Sequence, residues 1–277
     1  ALGETFHRPN PEAMSTIARR EIPQGPWSYT DDTQMALSVV EALQSDGYID
    51  PTKLGQAFAQ RFEPNRGYGD GTAKLLQAVA AGGNSQQIAA ASHAGEGSHG
   101  NGAAMRVAPL GAYFANNIEQ VIHEAQASAM PTHTHCEAIA GAVAVAVATA
   151  LATKVGNGLM MGATDFLKHI LHRTPESVTR NGINTVYHID GNTDPHSVAE
   201  EVGSGQKLSA QDTVPFALWC AAHNLHNYEN AFWATVSGLG DRDTTCAIVG
   251  GIVVMSDRTQ GVPQSWLQPR EPLPTKQ

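Results

Sequence analysis

The stretch AIAGAVAVAVATALA (residues 138–152) decides the fold. It is built of alanine, valine and glycine, with almost no large side chains. It falls short of the ~20 apolar residues that a helix needs to cross a bilayer. A helix that is apolar on every side belongs in the middle of a protein. The segment therefore reads as a central buried helix, and its small side chains let neighbouring helices come close.

Helical spacing recurs on both sides of it. Ala36, Val39, Val40 and Leu43 fall at i, i+3, i+4 and i+7, as do Ile118, Val121, Ile122 and Ala125. Tyr228, Ala231, Phe232 and Thr235 repeat the pattern, and so do Ile248, Gly251, Ile252 and Met255. Asn184 to Ile189 is the best candidate for a short strand. Gly-rich segments at 65–71, 95–102, 203–205 and 238–240 separate the helices. The reading is all-α: a single compact multi-helix domain over residues 1–255. Residues 256–277 carry Pro263, Pro269, Pro272 and Pro274 and read as an extended tail, on the surface or disordered.

Twenty-six acidic residues against 17 basic give a net charge of −9, which argues against general nucleic-acid or anionic-membrane binding. It also leaves carboxylates to hold a cation. Cys136, Cys220 and Cys246 form no CxxC, so neither a zinc signature nor a disulfide framework is present. Each lies in an apolar helical pattern and is expected to be a buried free thiol, which fits a reducing, cytoplasmic setting. The opening ALGETFHRPN lacks the basic-then-apolar order of a signal peptide.

Two acidic clusters open apolar helices. The first is Thr30-Asp31-Asp32-Thr33-Gln34. One reading is a helix cap, since Asp31 with Gln34 three residues on approaches a capping box. The other is a metal site, because two adjacent carboxylates at one helix start repel unless a cation relieves them. With the Thr30 oxygens they make an oxygen-only set, which suits Mg²⁺, Mn²⁺ or Ca²⁺. The second cluster, Gly240-Asp241-Arg242-Asp243-Thr244, has the same two readings. Brought together, the clusters would offer four carboxylates, enough for a two-metal site.

Six segments carry a resemblance. They are YTDDTQMALSVVEAL (29–43), RGYGDGT (66–72), GSHGNGAAMRVAPLGAYF (97–114), PTHTHCEAIAGA (131–142), DTVPFALW (212–219) and GLGDRDTTCAIVGGI (238–252). In this order they resemble the ADP-ribosylglycohydrolase family, which includes the dinitrogenase reductase-activating glycohydrolases and eye-lens crystallin relatives. The resemblance implies an all-α fold with two Mg²⁺ or Mn²⁺ ions in a cleft, held by Thr30, Asp31, Asp32, Asp241, Asp243 and Thr244. It implies hydrolysis of the glycosidic bond that joins ADP-ribose to a modified protein side chain or a small molecule. Gly100, Asn101, Gly102 and Arg106 are candidates for the diphosphate, with a helix start near Ala103 pointing at it. For Arg106 an ordinary salt bridge is the other reading. Tyr68 and Gly69 are candidates for ribose or adenosine. His133 is assigned to substrate binding, where a loop enters the central helix.

Two departures from the family pattern stand out. The family's G-D-A-L-G motif is followed by a catalytic glutamate four positions after its last glycine. Here Ala1-Leu2-Gly3 match the end of that motif, and the fourth residue after Gly3 is His7. Glu4, His7 or an aspartate (Asp31 or Asp32) is left to activate water. Arg242 places a cation between two ligands, and either faces away or meets substrate phosphate. Three functions follow: an ADP-ribosyl-glycohydrolase, a non-catalytic ADP-ribose-binding or structural protein, or a dimetal phosphoesterase.

Overall fold

The computed structural model describes residues 1–6, 11–257 and 261–274. Sixteen α-helices occupy them: α1 (Pro11–Ala18), α2 (Asp31–Asp46), α3 (Pro51–Arg61), α4 (Asp70–Ala80), α5 (Ser85–Ala91), α6 (Gly102–Met105), α7 (Ala108–Tyr113) and α8 (Ile118–Ala129). They continue with α9 (Cys136–Gly156), α10 (Ala163–Arg173), α11 (Val178–Tyr187), α12 (Pro195–Val202), α13 (Ala210–Ala222), α14 (Tyr228–Ser237), α15 (Arg242–Ser256) and α16 (Gln264–Leu267). Among the described residues there is no strand, only the isolated bridges Trp27–Arg270 and Gly100–Ser209.

Helix α9 is the axis of the domain, with α6, α7, α8, α10, α13 and α15 packed around it. At 21 residues it is longer than its Ala-Val stretch, and by length and composition it could cross a membrane. Here the neighbouring helices bury it instead. The small side chains permit this. Gly111 of α7 sits against the Ala146 carbonyl, and a Cβ on Gly141 would come within 2.9 Å of Ala210 in α13. Thr149 and Thr153 satisfy their buried hydroxyls on the carbonyls four residues back.

The strand expected over 184–189 does not form: α11 runs to Tyr187 and a turn follows. Thr179, Ile183 and Val186 are the buried positions of α11, a helical spacing that outweighs the local β-branched character. Its start is fixed by Glu137 of α9, whose carboxylate accepts from the Val178 and Thr179 amides at 2.7 and 2.8 Å. The cysteines also divide differently from the expectation. Cys220 is buried and Cys246 half-buried, but Cys136 is exposed, because it is the first residue of α9 and precedes its buried run.

The Pro-rich segment is packed where it is described. Trp266 is buried with Phe6, Ile17, Trp27, Phe232, Trp233 and Val236 in a second, aromatic core. Trp27 N donates to Pro269 O, and Glu271 N donates to Trp27 O. Arg66 stacks on the Tyr29 ring and pairs with Glu271 through two hydrogen bonds, at 2.8 and 3.1 Å. The strap thus holds the segment that leads into Thr30 and Asp31.

Candidate metal centre and cleft

Helix α2 starts at Asp31, with Thr30 as its N-cap residue in extended conformation. The capping-box reading does not hold. The Thr30 hydroxyl donates sideways to Asp32 Oδ2 at 2.7 Å and caps no amide. Gln34 turns to Glu63 and to the Tyr68 hydroxyl, which donates to Gln34 Oε1 at 2.7 Å. Helix α15 starts after Leu239 and Gly240, both at positive φ. Its N-cap residue Asp241 also makes no side-chain cap. Instead Asp241 Oδ2 accepts from Asn101 Nδ2 at 2.7 Å, and its backbone N–H donates to Ser204 O.

Both helices therefore leave their carboxylates facing one another. Oxygens of Asp31, Asp32 and Asp243 all lie within 4.8 Å of each other. Burial, then the Asp32 and Asp243 charges, raises the pKa of Asp31. Burial and the Asp243 charge raise that of Asp32. Asp241 is raised by burial, then by its hydrogen bond to Asp243 and that group's charge. Asp32 Oδ1 is buried without a hydrogen-bond partner. Converging, mutually repelling oxygens with one left unsatisfied fit a hard divalent cation.

Asp31 and Asp243 of this cluster line a cleft of about 770 Å³. Of the residues singled out from the sequence, Asp31, Gly69, Gly100, Asn101, Gly102, His133, Asp241, Asp243 and Thr244 line it. Thr30 and Asp32 line a smaller pocket on the other side of the cluster, beside Ala1, Leu2 and Gly3. Glu4 is exposed on a 3-10 helix at Gly3–Phe6 and lines neither pocket, while His7 lies outside the described residues.

Several expectations are corrected. Arg106 does not line the cleft, and among the described residues it has no salt bridge. It is wholly buried, its planar guanidinium lies over the Phe58 ring, and it donates to Ser128 O and Thr132 Oγ1, both at 2.8 Å. Helix α6 starts at Gly102 and has four residues, too short for an appreciable macrodipole. The glycines have a different purpose: a Cβ on Gly100 or Gly102 would come within 3.1 or 2.7 Å of the His133 ring. Tyr68 is set back from the cleft and packs edge-on against Phe62. Arg242 faces away, buried, and donates to the Phe6 carbonyl.

Sequence reasoning missed Asp70, Lys74, His93, Thr132 and Leu208, which also line the cleft. Asp70 and Lys74 lie one helical turn apart at the start of α4, directly after Gly69, a signal within reach of the sequence. Leu208 adopts a positive φ of 54° and is exposed, and nothing in its local sequence marks that.

The structure is an all-helical domain in which two helix starts bring the Asp31, Asp32 and Asp243 carboxylates together beside an open cleft. The family model for ADP-ribosylglycohydrolase matches residues 1–275, and the chain belongs to that family. It is 27% identical to ADP-ribosylhydrolase ARH3 of Bos taurus, over 87% of this chain and 73% of that protein. The Homo sapiens ARH3 is 26% identical, over 87% of this chain and 74% of its own. A solved ADP-ribosylglycohydrolase-related protein complex shares the fold, with a TM-score of 0.64 at 22% identity, covering 91% of this chain and 78% of its own.

Proposed function

We propose that this protein is a divalent-cation-dependent hydrolase that cleaves the glycosidic bond between ADP-ribose and a protein side chain or small molecule. The observation that carries this is the convergence of the Asp31, Asp32 and Asp243 carboxylates beside the cleft, with Asp241 hydrogen-bonded to Asp243. Family membership and the resemblance to ARH3 proteins support the substrate class.

Thr30, Asp31, Asp32, Asp241, Asp243 and Thr244 would hold two Mg²⁺ or Mn²⁺ ions. Bound there, such ions orient ribose hydroxyls and acidify water. Four aspartates balance two divalent charges. The protein's own groups supply the rest. Asn101 fixes the Asp241 carboxylate, and Gly100 and Gly102 leave room for the His133 ring at the cleft wall. Of Glu4, Asp31 and Asp32, the described candidates for activating water, Asp31 alone lines the cleft and takes the proton in this reading. The transition state is oxocarbenium-like, as for glycosides generally.

The displaced glutamate favours one second reading, an ADP-ribose-binding protein without turnover. Incubation with arginine-, serine- and acetyl-ester-linked ADP-ribose, with and without Mg²⁺, separates the two. Cation-dependent release of intact ADP-ribose is expected. Tight calorimetric binding of ADP-ribose with no release selects the second reading, and AMP as product points to diphosphate cleavage and sinks both.

A further inference from the structure

Arg106 and His133 are joined through one hydroxyl. Arg106 Nη2 lies 2.8 Å from Thr132 Oγ1, and that oxygen lies 2.6 Å from His133 Nδ1. A guanidinium has only donors, so Thr132 Oγ1 accepts from Arg106. The threonine hydroxyl has a single hydrogen, and His133 Nδ1 is the acceptor within reach. The reverse arrangement would aim two N–H groups at one oxygen and leave its hydrogen unused. Nδ1 is therefore unprotonated, and a neutral imidazole then carries its proton on Nε2. That nitrogen sits beside Gly100 and Gly102, 3.1 and 3.0 Å from where their Cβ atoms would be, on the wall of the cleft.

We propose that Arg106 and Thr132 are positioning residues that fix His133 as its Nε2–H tautomer, so that the cleft wall presents a neutral N–H donor to an acceptor oxygen of the bound ligand. The surroundings keep the ring neutral. His133 is buried, and burial, followed by the charges of Arg106, His93 and His99, pushes its pKa down to about 3. A ring so fixed cannot take a proton at Nε2, so His133 binds and does not act as a base. Its ligand must offer an oxygen acceptor at that point, a hydroxyl, ether or phosphate oxygen. The identity of that ligand as ADP-ribose rests on the function proposed above, whereas the tautomer does not.

The tautomer is read directly from long-range ¹⁵N–¹H correlation spectra of the full chain labelled with ¹⁵N-histidine, with His133→Gln identifying the signal. At pH 7 the expected pattern is a protonated Nε2 and a bare Nδ1. A protonated Nδ1, or an imidazolium, overturns the proposal in the wild-type protein alone. Thr132→Ser should keep the pattern, and Thr132→Val should shift it toward Nδ1–H or a mixture. An unchanged pattern in Thr132→Val removes Thr132 from the role. Titration with ADP-ribose should show affinity lowered roughly tenfold in Thr132→Val and restored in Thr132→Ser. If the wild-type protein binds no ADP-ribose, the proposed substrate fails, and the spectra still decide the tautomer.

Discussion

Asp31, Asp32 and Asp241 hold their protons above the usual carboxylate range because they are buried together and charged alike. Without a cation the folded state then binds more protons than the unfolded chain, whose aspartates titrate near pH ~4. The stabilisation this gives is complete below that pH and is lost as pH rises through the folded-state values. His133 works in the opposite sense, but only below its ordinary pKa of about 6.5, so the acidic effect stands alone from about pH 7 upward. The melting temperature of chelator-treated protein should fall between about pH 7 and 9, and Mg²⁺ or Mn²⁺ should abolish the fall. A flat profile without cation would show that the carboxylates do not interact as described. Asp31→Asn, measured by calorimetry with Mn²⁺, should weaken cation binding by about a hundredfold or more. The same change relieves repulsion and should stabilise the cation-free protein by about 1 kcal/mol. A variant that is less stable than wild type without cation would contradict this account.

At the level of elements, close approach to α9 sets the strictest requirements. Gly111 meets the Ala146 carbonyl, a backbone atom that cannot move aside as a side chain can. Gly111→Leu should cost about 1–3 kcal/mol in urea unfolding, the range for overpacked cores. Much of this level was legible in the sequence. The apolar run at 138–152 announced a buried helix, and the spacings at 36–43, 118–125, 228–235 and 248–255 each fall within one. The failures share a cause. Asn184 to Ile189 looked strand-like locally, but α11 owes its start to Glu137, a partner distant in sequence. Gln34 looked like half of a capping box, but Glu63 and Tyr68 claim it. Arg106 looked like a phosphate ligand in a Gly-rich segment. The sequence carried no sign that Ser128 and Thr132 would enclose it. Periodicity shows which face of a helix is buried, but not which polar groups the other helices bring to it.

In the molecule as a whole, the aromatic core gathers Phe6, Trp27, Phe232, Trp233 and Trp266 behind the acidic cluster. The Arg66–Glu271 pair closes the strap over Tyr29, next to the first metal-binding candidates. Asp32 and Asp243 meet only because α2 and α15, widely separated along the chain, pack side by side. That separation has a kinetic meaning. A chain still assembling has no complete set of ligands, since pairing helices so far apart along the chain carries a large loop-closure cost and forms late. A divalent ion will bind after the folding barrier is crossed and will act on the way back. Stopped-flow measurements should find unfolding slowed by Mg²⁺ or Mn²⁺ while the refolding rate stays the same. Faster refolding with the ion would mean that the two helix starts already meet in the transition state.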